Sequence, residues 1–403
     1  MSDFLDEVRE IEQARSPRPK HPDGWQPRSE IDDQGGFIVT KPYSPDHAPN
    51  HQEALIEFGL DPEQWKVTHV RRSRWETYDE RWLEALRINI VPVAGPETSI
   101  DFDKLVAKIK RQKPLKQNPS GGDWTYIVTL SDWQLGKRDG DGTRGIVDRV
   151  VAGIAEARVD VGKARKEGYP IGRILIVGLG DIVEGCDGFY PMQTFEVELD
   201  RRQQMRVARR LVLHAVQELA PLAKKVTVLA IAGNHGENRK GGKAFTSFAD
   251  NDDVAVFEQV SDILAENPER YGHVNFLIPH DELTVTIDLG GTVVGFTHGH
   301  IARASGATGL AHTRVWNWWK GQAHGRSFAG DADVLVNGHF HYFNHCENGA
   351  RTHIQVPSLD HSTWYEQGSG YAARHGMVTF LSGPEHVERL RILRCRVEKE
   401  DEE

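Results

Sequence analysis

Apolar residues recur along this chain at two periods, and which period dominates changes with position. From about residue 51, HQEALIEFGL reads as a short helix. WKVTHVRRSRW and LRINIVPV, β-branched and bounded by turn residues, read as strands. In FDKLVAKIKRQ, Phe102, Leu105 and Ile109 share one face at helical spacing. That segment runs into KPLKQNPSGGD, whose Pro, Gly and Ser predict a linker and a boundary near residue 120. The rhythm then becomes strand, loop, helix. TYIVTL, RILIVGL and KVTVLAI read as buried strands. A long helix within 145–167, FEVELDRRQQMRVARRLVLHAVQEL and DVAVFEQVSDIL read as the helices between and after them. Further on the helices thin out, and LTVTIDL, TVVGFT, DVLVN, THIQV, GMVTF and VERLRIL all read as strands.

An α/β first half and a β-rich second half are both accommodated by two sheets packed face to face with helices outside. The expected organisation is a flexible Pro- and charge-rich arm at 1–50, a small α+β accessory region with a basic linker at 51–120, the main domain at 121–395 and an acidic tail at 396–403. No internal repeat is visible.

Composition narrows the function classes. The chain has 403 residues, 38% hydrophobic and 27% charged, enough to build cores and too apolar for global disorder. A net charge of −10 excludes an overall basic coat for nucleic acid but permits local patches. No apolar run reaches 18 residues, so no membrane helix is expected. The start, MSDFLDEVREIEQ, lacks the apolar stretch of a secretory leader. Cys186, Cys346 and Cys395 are odd in number and scattered, which argues against a disulfide scaffold and for a reducing, cytoplasmic setting.

Eleven of the 19 histidines follow residue 290, and this directs attention to metal chemistry. Five strands end in polar clusters: SDWQLGK with Asp132 and Gln134, GLGDIVEG with Asp181 and Glu184, AGNHGE with Asn234 and His235, FTHGH with His298 and His300, and NGHFH with His339 and His341. Loops at the carboxyl ends of buried strands are where α/β folds place ligands. Carboxylates, amide oxygens and imidazoles suit Mn2+, Fe or Zn2+, and the absence of thiolates argues against a structural zinc knot. Seven candidates (Asp132, Gln134, Asp181, Asn234, His298, His339 and His341) are too many for one ion and suit two bridged by a carboxylate.

The order D-x-Q, GDxxE, GNH, HGH, GHxH resembles the calcineurin-like metallophosphoesterase superfamily over roughly residues 124–382. Its DNA-repair nuclease branch is the one suggested, with phage-encoded relatives as a plausible source. The resemblance implies a double β-sheet sandwich flanked by helices and two divalent ions, Mn2+ first and Fe or Zn2+ as alternatives. One ion would take Asp132, Gln134, Asp181 and His341, the other Asp181, Asn234, His298 and His339, with Asp181 bridging. It also implies phosphoester hydrolysis by a hydroxide held between the ions, with His235 as general acid and Glu184 orienting it. Two positions depart from the pattern. Gln134 stands where a histidine is usual, a weaker donor that leans toward Mn2+. Gly236 follows His235 where an acid is usual, so the orienting role passes to Glu184 or Glu237 or is absent.

Residues 301–330 contain no acid, and with Arg314, Trp318 and Lys320 they read either as a substrate loop, cations for phosphates and indoles for bases, or as a helix with core tryptophans. His300 is expected beside the metals, facing substrate. Two basic clusters, Lys104 to Lys116 and Arg71, Arg72 and Arg74 with Trp65 and Trp75, read as solvated faces or nucleic-acid contacts. A nuclease or nucleotide phosphodiesterase is therefore the leading expectation. A phosphomonoesterase acting on protein or a small metabolite, and a catalytically inactive metal-binding scaffold, are the alternatives. Expected partners are a nucleic acid or nucleotide and no membrane, with residues 1–120 available to a partner protein or to self-association.

Overall fold

The computed structural model describes residues 27–396, apart from short stretches at 33–34, 78–79, 93–96, 116–120, 191–192, 241–242, 245, 303–309, 371–373 and 385. The first part of the arm, Lys116 and most of the acidic tail lie outside the described residues. The chain forms two compact units, residues 1–104 and 105–403.

The first unit is a four-stranded antiparallel sheet of β1 (Arg28–Asp32), β2 (Gly35–Val39), β3 (Trp65–Glu76) and β4 (Trp82–Pro92), in the order β1-β2-β4-β3. Helix α1 (His51–Glu57) opens on a capping box, with Asn50 Oδ1 accepting from the Gln52 and Glu53 amides. Ala54 and Leu55 of α1 share a core with Ile38, Leu86, Ile88 and Ile90, alternate residues that line one face of the sheet. Residues 28–39 are thus paired strands, not part of a flexible arm. Their Pro- and charge-rich surroundings masked a short strand, GGFIV, that pairs antiparallel with RSEID.

The division between units also falls earlier than the linker predicts. Helix α2 (Glu97–Lys110) carries its carboxyl-terminal end into the second unit, where Ile109 is buried and its carbonyl accepts from Asn267 Nδ2 at 2.7 Å.

The second unit contains β5 (Trp124–Leu130), α3 (Gly142–Lys166), β6 (Ile171–Gly178), α4 (Gln193–Glu196), α5 (Arg201–Leu219), β7 (Lys225–Ala230), the small hairpin β8 (Arg239–Lys240) and β9 (Lys243–Ala244), α6 (Asp252–Ala265), α7 (Pro268–Tyr271), β10 (Val274–Leu277), β11 (Thr284–Asp288), β12 (Val293–Thr297), α8 (Ala311–His324), β13 (Val334–Asn337), β14 (Asn344–Asn348), β15 (Arg351–Gln355), α9 (Thr363–Ser369), β16 (Met377–Ser382) and β17 (Val387–Leu393). Helix α5 starts later than its apolar pattern because Asp200 and Gln203 close a capping box there and end the preceding segment.

Two sheets, ordered β10-β7-β6-β5-β16-β17 and β11-β12-β13-β15-β14, face each other across one core. Ile127, Leu175 and Val177 of the first sheet meet Val294, Phe296, Val334 and Val336 of the second. The alternate residues of the same strands point outward: Tyr126 on β5 reaches α3, its hydroxyl 3.1 Å from Asp160 Oδ2, and Leu335 on β13 packs under α8. Strands buried on both faces explain the near-continuous apolar runs read from the sequence. This is the α/β double-sheet sandwich flanked by helices. No helix among the described residues is long and apolar enough to cross a membrane.

Within the 301–330 stretch, residues 311–324 form helix α8. Ala311, Val315 and Trp319, spaced four apart, are buried against Leu335 and Phe340. The Trp319 indole donates to the Ala329 carbonyl at 2.7 Å. Replacing Trp319 by Ala is expected to cost about 3–5 kcal/mol, read as a lower urea midpoint at unchanged slope.

Candidate metal centre

Strands β7, β6 and β5 run parallel, as do β12, β13 and β15, so their carboxyl ends lie together in each sheet. All the candidate ligands sit just past those ends, and hydrogen bonds tie the loops to one another. The Gln134 amide donates to the Asp181 carbonyl at 2.9 Å, and the His339 amide donates to the Asp132 carboxylate at 3.1 Å. The His235 amide donates to Asp181 Oδ1 at 2.9 Å.

Nine non-glycine residues among those described have a positive φ. Five of them are Asp132, Gln134, Asp181, His339 and His341. Left-handed backbone costs an L residue roughly 1–2 kcal/mol, so its concentration at these positions is strain held for a purpose. Two glycines make the close approach possible. A Cβ on Gly233 would overlap the Asp181 amide, and one on Gly338 would overlap the hydroxyl of Ser131.

The ligand atoms of Asp181, His298 and His339 all lie within 4.8 Å of one another. His298 Nδ1 is 2.6 Å from the Leu179 carbonyl, and donating there leaves the Nε2 lone pair aimed inward. That Nε2 stands 3.0 Å from Asp181 Oδ2 and 3.1 Å from Asn234 Oδ1. Lone pairs from three groups thus converge on one point, an arrangement that a cation satisfies. Electrostatics agree. Burial disfavours the His298 imidazolium, but the Asp181 charge outweighs it and lifts the ring to about 9, so this point attracts positive charge. His339 is held neutral, pushed down to about 3 by burial and then by the neighbouring His298 charge, and neutral imidazole is the ligating form. These residues fit a divalent ion. Asp132 and His341 form a second group, with Oδ1 and Nε2 3.4 Å apart.

His235 Nδ1 is 3.1 Å from both the Glu184 carbonyl oxygen and Glu184 Oε2, while the Tyr190 hydroxyl donates to Glu184 Oε1 at 2.8 Å. Glu237 instead pairs with Arg239 at 2.5 Å. The other ring nitrogen, Nε2, is 4.0 Å from Asp181 Oδ2. Burial opposes the imidazolium here too, but the Glu184 and Asp181 charges raise it to about 9.

Gln134, Asp181, His235, His339 and His341 line a cavity of about 550 Å³, with Phe189 and Tyr190 on one side, Tyr365 on the other and the Lys137 side chain in its wall. The Phe189 ring lies 4.1 Å from that of His235, and Tyr365 lies 4.4 Å from His341. Arg314, Trp318 and Lys320 are not among the cavity's walls. The packing that buries Trp319 commits their helix to the second sheet, and Lys320 borders a separate hollow beside Trp316. His300 is close, its ring 5.3 Å from His298.

Three parts of the site escaped the sequence. Lys137 and the aromatic walls carried no distinguishing spacing. Asp253, on the first turn of α6, accepts from the Asp181, Ile182, Val183 and Gly233 amides at 2.8–3.1 Å. In DNDDVAVFEQ it is indistinguishable from an ordinary helix-start acid.

No protein-family model and no curated protein matches the chain. Among solved structures, it is similar to vacuolar protein sorting 29 from Cryptosporidium parvum at 13% identity, over 66% of this chain and 88% of that one, with a TM-score of 0.29. It is similar to a predicted phosphoesterase from Streptococcus pneumoniae at 12% identity, over 64% and 83%, with a TM-score of 0.27. It is also similar to an archaeal phosphodiesterase at 13% identity, over 66% and 99%, with a TM-score of 0.29.

Proposed function

We propose that this protein is a divalent-metal-dependent hydrolase of phosphodiesters in nucleotides or nucleic acid, of the calcineurin-like metallophosphoesterase type. The observation that carries the reading is the convergence of metal-ligating side chains from five strand ends, with Gln134, Asp181, His339 and His341 lining one cavity, Asp132, Asn234 and His298 buried against them, and five of the seven in left-handed backbone. Asp181, Asn234, His298 and His339 would hold one ion, and Asp132, Asp181 and His341, with Gln134 beside them, border a second position. Bound ions of this kind lower the pKa of water and neutralise phosphoryl oxygens, and Mn2+ is the first to test.

The chain's own residues supply the rest. His235 presents a protonated Nε2 to the leaving oxygen, with Glu184 holding its other nitrogen. The Lys137 ammonium adds fixed positive charge beside the phosphate. Phe189, Tyr190 and Tyr365 offer faces on which a base stacks, which favours nucleotide diesters over a small monoester.

A second surface supports a polymeric substrate. The face of the amino-terminal sheet opposite α1 carries Arg28, Phe37, His69, Arg71 and Arg87, with Glu30 at its edge. Arg87 lies 4.0 Å over the Phe37 ring. Cations interleaved with an aromatic on an exposed sheet face suit a single-stranded backbone and its bases.

The test is Mn2+-dependent turnover of single-stranded DNA, duplex DNA, bis-p-nitrophenyl phosphate and p-nitrophenyl phosphate. Diesters are expected to be cleaved faster than the monoester. Preferential monoester turnover would establish the phosphomonoesterase instead, and tight metal binding with no turnover the inactive scaffold. Joint replacement of Arg71 and Arg87 by Ala is expected to raise KM for DNA while leaving bis-p-nitrophenyl phosphate unaffected. Equal effects on both substrates would remove the sheet from the reading.

A further inference from the structure

Lys137 is buried, its side chain 8% exposed. Its Nζ donates to Asp360 Oδ2 at 2.9 Å and to Gln134 Oε1 at 2.9 Å. An ammonium has only donors, so it fixes which end of the Gln134 amide it faces: the oxygen turns to Lys137. The amide nitrogen therefore turns into the site, where Gln134 Nε2 stands 3.3 Å from His235 Nε2 and 3.4 Å from His341 Nε2. An amide NH2 offers a cation no lone pair. Asp360 holds the lysine in this pose. It is itself buried, and its amide donates to the Asp132 carbonyl at 3.2 Å, so the pair is anchored to the same loop that carries Gln134.

We propose that Lys137 is a positioning residue that turns the Gln134 oxygen away from the cation position formed by Asp132, Asp181 and His341, so that the protein binds one divalent ion tightly and a second weakly. The tight position is the one built from Asp181, Asn234, His298 and His339. The weak one is a ligand short, because the amide presents its NH2 there and not its oxygen. The inference rests on the metal-dependent reading above and divides its two ion positions into unequal partners. The second ion then enters chiefly when a phosphate brings its own oxygens.

The test is calorimetric titration of Mn2+ into chelator-treated full-length protein without substrate, reading the number of sites and the affinity of each. Wild type is expected to show one tight site and one much weaker. In the charge-neutral double variant Lys137→Met with Asp360→Asn, the amide is free to reverse and the second affinity is expected to tighten by about 10–100-fold, the range such outer contacts control. Gln134→Glu is expected to tighten it as well, because a carboxylate keeps one oxygen for the lysine and gives the other to the ion. Circular dichroism checks that each variant is folded, and Lys137→Gln replaces the double variant if it is not. Two equal sites in wild type, or an unchanged second affinity in either variant, overturns this proposal alone. Absence of any Mn2+ binding in wild type overturns the metal-dependent reading with it.

Discussion

Replacing His235 by alanine leaves ion binding intact and lowers DNA hydrolysis by about 10²–10⁴-fold, the usual contribution of a positioned general acid. Ion binding survives because the closest link between this residue and Asp181 is its backbone, the side chain's Nε2 standing 4.0 Å from Asp181 Oδ2. The amide that donates to Asp181 Oδ1 at 2.9 Å is still present in alanine. Turnover falls because the side chain's other nitrogen, Nε2, is the proton source on the cavity side. The loss should depend on the leaving group. A nucleoside alkoxide needs the proton, whereas a p-nitrophenolate departs nearly as well without it, so bis-p-nitrophenyl phosphate should lose far less. Parallel rate measurements on the two substrates check this, and equal losses would remove His235 from the acid role. Glu184→Gln is expected to act through the same ring. It removes the charge that supports the imidazolium, so the alkaline limb of the DNA rate profile moves to lower pH.

The contrast between His235 and Lys137 shows where sequence reading stops. His235 was legible because it belongs to a spaced series, one polar cluster after each apolar strand, and strand-end position is a property that period and burial predict. Lys137 sits in the same cluster, SDWQLGK, but its importance depends on Asp360, 223 positions away, which fixes the ammonium on Gln134. Long-range pairs of that kind leave no local pattern. The tryptophans of α8 left two readings open, a substrate loop or a helix core. Their composition suits base stacking, yet the spacing of Ala311, Val315 and Trp319 is that of a helix burying one face, and burial took precedence over chemistry. The aromatic faces that border the cavity come instead from Phe189, Tyr190 and Tyr365, in segments with no periodic signature.

Asp253→Ala is expected to be the most destructive single change outside the ligands. It should cost about 3–5 kcal/mol of stability, because four buried amides lose their common acceptor. Those amides belong to the loops that follow β6 and β7, so the Asp181 backbone is released from its left-handed conformation and tight ion binding is lost with it. Asparagine should not rescue the variant. Both carboxylate oxygens are in use, Oδ1 by Ile182 and Val183 and Oδ2 by Asp181 and Gly233, and an amide nitrogen in either place would face two donors. The adjacent acid provides the control. Asp252 pairs bidentately with Arg201 at 2.6 Å, but that arginine is half exposed, and Asp252→Ala should cost no more than about 1 kcal/mol. Urea unfolding of both variants, with and without Mn2+, separates the two cases. If Asp253→Ala unfolds at the midpoint of Asp252→Ala and still gains stability from Mn2+, the strained loops do not depend on this carboxylate, and their conformation must be held by the sheet ends alone.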